Sequence, residues 1–589
     1  MAEQLSRESY APGVPTKNLP PVPYKDMPEP EPLRKVLGPG VILAGIGVGS
    51  GEYILWPYIS TQVGLGFLWA VFVGVTIQYF LNMEIERYTL ATGETAISGF
   101  VRFWKPWGIL MVLFALIPNV WPAWATSGAQ TLSFLLGTGQ GSVSLMSILL
   151  LIACGVALTI SPVVYQTVEK AEFLKVGLVV MFLIIAIVVA ISPSAWADLS
   201  QVVTEPILPG DLDTALVLGA LAFAGAGGCN NLVQSNWIRD KGFGMGQYIP
   251  HIVSPVTGEE EARPATGNMI RQDEENLRRW RGWWKVANQE QLVSFWFICL
   301  ASILVFSLLA YSTVGVGTIA DAPNLEFIRA EGEALMTIVG PWFGNLFWAL
   351  GTVSLALVSI GVIDYVCRIV ADVLITVYVG ESERWTESRI YISVVWGMVI
   401  VGSLILLFAI DQPTTLVIIA SSLSGVVMFI YSILLIQLNR RALPEAIKVK
   451  GYRLVILFAS VLFFGYFSIV YIIDQVHELL DFGLGNGARW AARLPFDRPG
   501  GLCRPVRGGR QTRAHRVTVT LNTGFARGGT MDTVREEDAG RATARQVARE
   551  LRPPRSPGKT TSGCSRFTRA FQSVTLLSRE ARERIRLGR

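Results

Sequence analysis

Ala44-Gly45-Ile46-Gly47-Val48-Gly49-Ser50-Gly51-Glu52 interrupts the first apolar run of this chain with a glycine at every second position. A second interruption, Ala222-Phe223-Ala224-Gly225-Ala226-Gly227-Gly228-Cys229-Asn230-Asn231, falls in the sixth run. If five runs make one repeat, the two breaks occupy matching places in two halves. Glycine unwinds a helix cheaply, and lipid offers nothing to the carbonyls and amides so freed. Paired breaks of this kind point to the central site of a secondary transporter.

Working outward, stretches long enough to span a bilayer read at 39–58, 65–83, 107–129, 143–160, 173–192, 212–233, 291–312, 343–365, 390–410, 413–436 and 452–474. A span needs about 20 predominantly apolar residues. The composition agrees: 51% of residues are hydrophobic and 16% charged, against about 25% charged in soluble globular chains. The expectation is an all-α membrane protein of about eleven transmembrane helices. Residues 1–37 are polar and proline-rich, and read as a disordered cytoplasmic lead rather than a signal peptide.

The basic residues set an orientation. With the N-terminus in the cytoplasm, the inner connections carry Arg87, Arg102 and Lys105; Lys170 and Lys175; Arg239, Lys241 and the 271–285 cluster; Arg384 and Arg389; and Arg440, Arg441, Lys448, Lys450 and Arg453. The outer connections hold almost none, Arg329 being the clear exception. This is the positive-inside pattern of a multi-pass protein of the cell membrane. The stretch Leu277–Lys285, with Trp280, Trp283 and Trp284, reads as an anchor at the inner interface.

The six cysteines and three histidines are scattered, with no zinc spacing and no disulfide framework. No catalytic constellation is visible, so an enzyme is the least favoured class, and no cofactor is implied. The Gly47-x-Gly49-x-Gly51 run lacks the strand–turn–helix setting of a nucleotide site. From about residue 483 the chain becomes rich in arginine, with Lys559 its single lysine, and loses all periodicity. Composition favours out-of-frame translation of a GC-rich gene over a disordered extension or a hidden span. An arginine-rich arm for nucleic acid would lie on the wrong side of the membrane, so no nucleic-acid partner is expected. The domain reading is therefore 1–37, a transmembrane body at 38–482, and a basic tail at 483–589.

The residues also carry a family resemblance. Leu37-Gly38-Pro39-Gly40, running on to Gly49-Ser50-Gly51-Glu52, resembles the first helix of the Nramp divalent-metal transporters, which have Gly-Pro and then Asp-Pro-Gly-Asn at this spacing. Residues Gly64–Gly93 resemble the second helix and its following turn, Val168-Glu169-Lys170 the start of the fifth, and Leu438-Asn439-Arg440-Arg441 the end of the tenth. Gly228-Cys229-Asn230-Asn231-Leu232 stands where that family has Met-Pro-His-Asn-Leu. The resemblance implies a five-plus-five inverted repeat with helices one and six unwound, plus an eleventh helix. Carried over by position, Gly49 replaces the metal-binding Asp, Glu52 the Asn, Gly228 the Met and Asn230 the His, while Gly225 supplies the carbonyl. Cys229 sits one position beyond the lost thioether. The span at 119–137 lacks the acidic residues that form a proton path in that family, so the resemblance does not carry proton coupling with it.

Together these readings place a metal at Glu52, Gly225, Asn230 and Asn231, with Gly49, Ser50, Gly228 and Cys229 lining the substrate space. A site of one carboxylate and several carbonyls suits hard ions such as Mg²⁺ or Mn²⁺. An intramembrane carboxylate is by default a functional group; the bland alternative for Glu52 is snorkelling or pairing with a structural Arg. An organic solute such as an amino acid or amine is the second candidate substrate, and a sensor that no longer transports is the third class. Asp364, Arg368 and Asp372, spaced four apart, read as an internal ion pair near the inner end of the eighth span. Ser421, Ser422 and Ser424 read as either site-facing or close-packing residues.

Overall fold

The computed structural model describes residues 10–160, 164–207, 212–249, 267–318, 325–380, 384–408 and 412–483. The basic tail lies outside the described residues. Among the described residues eleven membrane segments follow one another, and apolar length sets nine of them as long helices. Segment 1 is Pro39–Ser50, a π-turn at Gly51–Leu55, and Trp56–Val63. Segment 2 is Trp69–Thr92; segment 3 is Trp107–Asn119 with Ala123–Leu136; segment 4 is Val143–Ile160; segment 5 is Val164–Val189. Segment 6 is Thr214–Ala222 and Cys229–Lys241. Segment 7 is Glu274–Gln291, a π-turn at Leu292–Phe297, and Ile298–Thr313. Segment 8 is Pro341–Val373 with a terminal π-turn, segment 9 Glu387–Phe408, segment 10 Pro413–Arg441, and segment 11 Tyr452–Gly483.

The packing has the symmetry of an inverted five-plus-five repeat. The first half of segment 1 lies on segment 5, as the first half of segment 6 lies on segment 10. The second half of segment 1 lies on segment 7, as the second half of segment 6 lies on segment 2. Segment 3 packs on segment 8, and segment 4 on segment 9. Segment 11 covers segment 10, outside the repeat. Segments 4, 5, 9 and 11 turn bare apolar side chains outward, among them Leu149, Val188, Leu407 and Leu462, as a lipid-facing surface requires.

The two breaks differ in kind. Segment 6 is severed: Gly227 and Gly228 adopt φ of 73° and 58°, a region open to glycine at little cost. Segment 1 is broken as expected but more gently: its helix is interrupted at Val48 (φ −64°, ψ 30°), outside the helical region, and then widens into the π-turn. Pro57 explains the widening. It has no N–H for the Tyr53 carbonyl, and its ring would press on that carbonyl in a regular helix.

Two boundaries move from their sequence positions. Segment 5 begins at Val164 rather than 173, because Glu169, Lys170, Glu172 and Lys175 are helical residues and not a connection. The tryptophan-rich stretch is no separate surface anchor: it is the first part of segment 7, with Trp280 and Trp283 buried.

The leading residues, expected to be disordered, are packed from Tyr10 onward. Tyr24–Lys25 pairs in parallel with Met269–Ile270. The Met27 amide donates to Asn276 Oδ1 at 2.6 Å, Asn18 Nδ2 to the Val101 carbonyl at 2.9 Å, and Trp283 Nε1 to the Pro28 carbonyl at 3.0 Å. Some of the prolines that suggested disorder act as carbonyl acceptors: Pro28 takes Trp283, and Pro15 and Pro20 each take Arg102 Nη1 at 3.0 Å. The N-terminal residues, the connection after segment 2 and the start of segment 7 thus share one side of the membrane. On the other side the Gly317 amide donates to Thr61, and the Ile207 amide to Gly66.

Candidate functional site

The two breaks meet backbone to backbone. A Cβ on Gly51 would stand 1.7 Å from the Phe223 carbonyl oxygen, and one on Gly47 would stand 2.8 Å from that of Gly225. The glycines of segment 1 therefore act mainly as close-approach residues. Backbone groups freed by the breaks find side chains. Ser354 Oγ donates to the Val48 carbonyl at 2.9 Å. Gln78 of segment 2 spans the severed helix: Nε2 donates to the Leu221 and Ala222 carbonyls at 3.3 and 2.8 Å, and Oε1 accepts from the Gly227 amide at 3.3 Å. Such bonds are needed where no water or lipid can supply them.

Glu52 lies in the π-turn with no exposed surface. Its Oε2 accepts from the Ser302 hydroxyl of segment 7, and the Cys299 thiol one helical turn earlier lies against the same carboxylate. Among the described residues its Oε1 has no hydrogen-bond partner. A Cβ on Gly47 would stand 3.3 Å from this oxygen, so the bare glycine leaves a niche with the Gly225 carbonyl on one side and the Glu52 carboxylate on the other. Phe295 and Gln78 close the far side of Gly225. Glu52 neither snorkels nor pairs with an arginine. Oxygen donors facing across a niche, one of them charged, are arranged to attract a cation.

The other expected site residues divide. Asn230 opens the second half-helix of segment 6; its Nδ2 donates to the Ala226 carbonyl at 3.4 Å, and its Oδ1 has no partner. Asn231 turns to segment 2, donating to Asn82 Oδ1 at 2.7 Å and to Gln78 at 3.4 Å. Gly49 faces Val358 and Ser354 of segment 8 rather than segment 6. Gly228 lies against Ser424 of segment 10, and Cys229 Sγ approaches the Met111 carbonyl of segment 3 at 3.9 Å. The side chain of Ser50 lies outside the described residues. The structure thus joins Glu52 to Gly225 and places Asn230 near the break. It sends Gly49, Gly228, Cys229 and Asn231 to helix packing, because consecutive residues of a helix point in different directions. Ser421 and Ser424 return their hydroxyls to Ile418 and Ala420 of their own helix and let segment 6 approach.

Sequence reasoning missed Ser302, Cys299, Gln78 and Lys175. The first two are a polar pair three residues apart inside an apolar run, a pattern that puts them on one helix face. Lys175, counted among the inner connections, is fully buried in segment 5 and pairs with Glu172 at 2.6 Å.

An aromatic cluster and an ion-pair network flank the site. Tyr53, Phe182, Phe306, Phe343 and Phe347 pack ring on ring next to Glu52, Tyr53 with Phe306 at 5.5 Å and Phe182 with Phe343 at 5.1 Å between centroids. Toward the side that carries the N-terminus, Arg368 bonds Asp364 with two nitrogens, at 3.2 and 2.9 Å, and Asp240 of segment 6 at 2.5 Å. Asp372 takes Arg239 at 2.7 Å instead of Arg368. The expected internal ion pair of segment 8 is present, widened into a network that ties segment 8 to segment 6.

No protein-family model matches the chain, and no curated protein matches it in sequence. Solved structures do match in fold. The Eremococcus coleocola manganese transporter in complex with an aromatic bis-isothiourea substituted compound superposes with a TM-score of 0.54 at 11% identity, over 78% of this chain and 89% of that one. A point variant of that transporter gives 0.53 at 11% identity over the same shares. The likeness is one of fold alone.

Proposed function

We propose that this chain is a secondary transporter, not an enzyme, and that it moves a divalent metal cation by alternating access around the paired breaks of segments 1 and 6. One observation carries the reading: Glu52 Oε1, buried and unpartnered, faces the Gly47 niche that the Gly225 carbonyl also borders. A carboxylate oxygen left without a partner in the membrane interior costs several kcal/mol. A cation in the niche removes that cost. With one carboxylate and carbonyls for ligands, the ion is hard and keeps part of its water shell, as Mg²⁺ and related ions do. Asn230 Oδ1 is a further neutral oxygen at the break. The reading puts the protein in the cell membrane with its N-terminus in the cytoplasm, which the charge of the basic connections supports.

A second reading has its own support. Among the described residues no three His, Cys, Asp or Glu side chains gather as a metal site. An organic ammonium needs only one carboxylate and a few carbonyls, so an amine or amino acid is the alternative substrate.

Calorimetry on the purified chain against Mg²⁺, Mn²⁺ and Cd²⁺, beside a panel of amines and amino acids, separates the two. Metal binding by the parent protein, abolished in Glu52→Gln with the fold retained, supports the first reading. Returning a soft ligand with Gly228→Met should not raise Cd²⁺ affinity, because Gly228 faces Ser424 and not the niche. Binding of an amine alone moves the assignment to the second reading, and cation binding undiminished by Glu52→Gln removes Glu52 from the site.

A further inference from the structure

Segment 5 carries a lysine where a membrane helix can least tolerate one. Lys175 stands eleven residues into a 26-residue helix and has no exposed surface. A charged group near the bilayer centre is costly and is retained for a reason. Its Nζ lies 2.6 Å from Glu172 Oε2, and among the described residues neither atom has a hydrogen-bond partner of standard geometry. An ammonium has three N–H donors, so its hydrogen-bonding capacity is far from used.

Glu172 is held in a fitted seat. A Cβ on Gly45 of segment 1 would stand 2.1 Å from its Oε2, and a Cβ on Gly361 of segment 8 would stand 3.3 Å from its Oε1. Two glycines on two other segments thus make room for one carboxylate. Lys175 also lies within electrostatic reach of Glu52. The local charge is two carboxylates and one ammonium. Glu172 has its counter-charge beside it, while Glu52 keeps a free oxygen for a substrate.

We propose that the Lys175 ammonium is a tethered cation, filling a niche between segments 1, 5 and 8 that a small monovalent cation would otherwise occupy. A carboxylate seated this deeply needs a positive partner. Supplying that partner from the chain itself avoids the entropy lost in capturing a free ion. The protein therefore requires no alkali cation at this position. Removing the lysine side chain exposes an uncompensated carboxylate and leaves room beside it for Na⁺ or methylammonium. The inference rests on the geometry of segment 5 and not on the identity of the substrate.

The test is thermal unfolding of the purified full chain in detergent, with NaCl or methylammonium chloride replacing choline chloride at constant ionic strength. The parent should show no saturable response to Na⁺, and any response of the parent to methylammonium should vanish in Glu52→Gln, which marks it as binding at the substrate site. Lys175→Ala should melt lower than the parent in choline. It should regain roughly 2–4 °C, saturably, in an excess of Na⁺ or methylammonium. Adding Glu172→Gln to Lys175→Ala should abolish that response. A folded Lys175→Ala protein indifferent to both ions overturns the proposal, as does a response that survives Glu172→Gln. Should Lys175→Ala fail to fold in every salt, the parent decides. Saturable stabilisation of the parent by Na⁺ means that the niche is not filled by Lys175, and its absence supports the tethered cation.

Discussion

Gly47→Ala separates the two roles that a glycine can play in segment 1. The added Cβ would stand 2.8 Å from the Gly225 oxygen, 3.1 Å from its carbon and 3.3 Å from Glu52 Oε1. The Gly47 backbone is not in the left-handed region, so alanine brings no torsional strain there and gains about 0.5–1 kcal/mol of helix preference. Overpacking of this size costs about 1–3 kcal/mol, since the nearest atom is a backbone carbonyl oxygen and segments 1 and 6 must give way by about half an ångström. The net effect on the fold is a loss of about 0–2 kcal/mol. Cation binding has no such relief. Hard-ion–oxygen distances are about 2.0–2.6 Å, so a methyl group between the carboxylate and the carbonyl excludes the ion. Affinity for Mg²⁺ or Mn²⁺ should fall at least tenfold, about 1.4 kcal/mol, while the melting temperature moves little. Gly51→Ala is the contrast: its Cβ would stand 1.7 Å from the Phe223 oxygen and 2.7 Å from its carbon, both backbone atoms. Segments 1 and 6 would have to part by more than an ångström, and folded protein should be lost. Calorimetry and thermal unfolding on the two variants read both effects. Parent-like cation affinity in a folded Gly47→Ala protein would refute the niche.

Three further outcomes are expected. Arg368→Met removes the guanidinium that Asp364 and Asp240, both fully buried, share, and should cost about 3–5 kcal/mol; adding Asp240→Asn should recover part of it, and an unchanged melting temperature for Arg368→Met would show the network to be wetted. Cysteines introduced at the exposed Gly139 and Gln272 should label from outside the cell and only after permeabilisation, respectively, and the reverse pattern overturns the orientation. A stop codon after Gly483, where the last helix ends, should leave membrane insertion and the melting temperature intact, whereas loss of insertion would make the basic tail part of the folded protein.

Apolar length and glycine spacing carry most of the architecture. The segments were readable because a bilayer imposes a minimum run of apolar residues. The breaks were readable because two glycine clusters fall five segments apart, and Asp364 and Arg368 because pairs four apart share a helix face. What escaped depends on partners distant in sequence. Lys175 looked like a connection residue because four charges between 169 and 175 dilute the hydropathy of two helical turns. Only the seats made by Gly45 and Gly361 explain how Glu172, the carboxylate that neutralises Lys175, can be buried there. Ser302 and Cys299 gave a local signal, but nothing local names Glu52 as what they hold. The Gly47 and Gly49 positions are the sharpest case. Both belong to one alternating run, and motif position favoured Gly49 for the site. A helix turns by about 100° per residue, so positions two apart look in opposed directions. Gly49 looks at Val358 of segment 8, and Gly47 looks between Gly225 and Glu52. A glycine that frees a carbonyl and a glycine that lets another carbonyl approach are the same letter, and only the element packed against each decides which work it does.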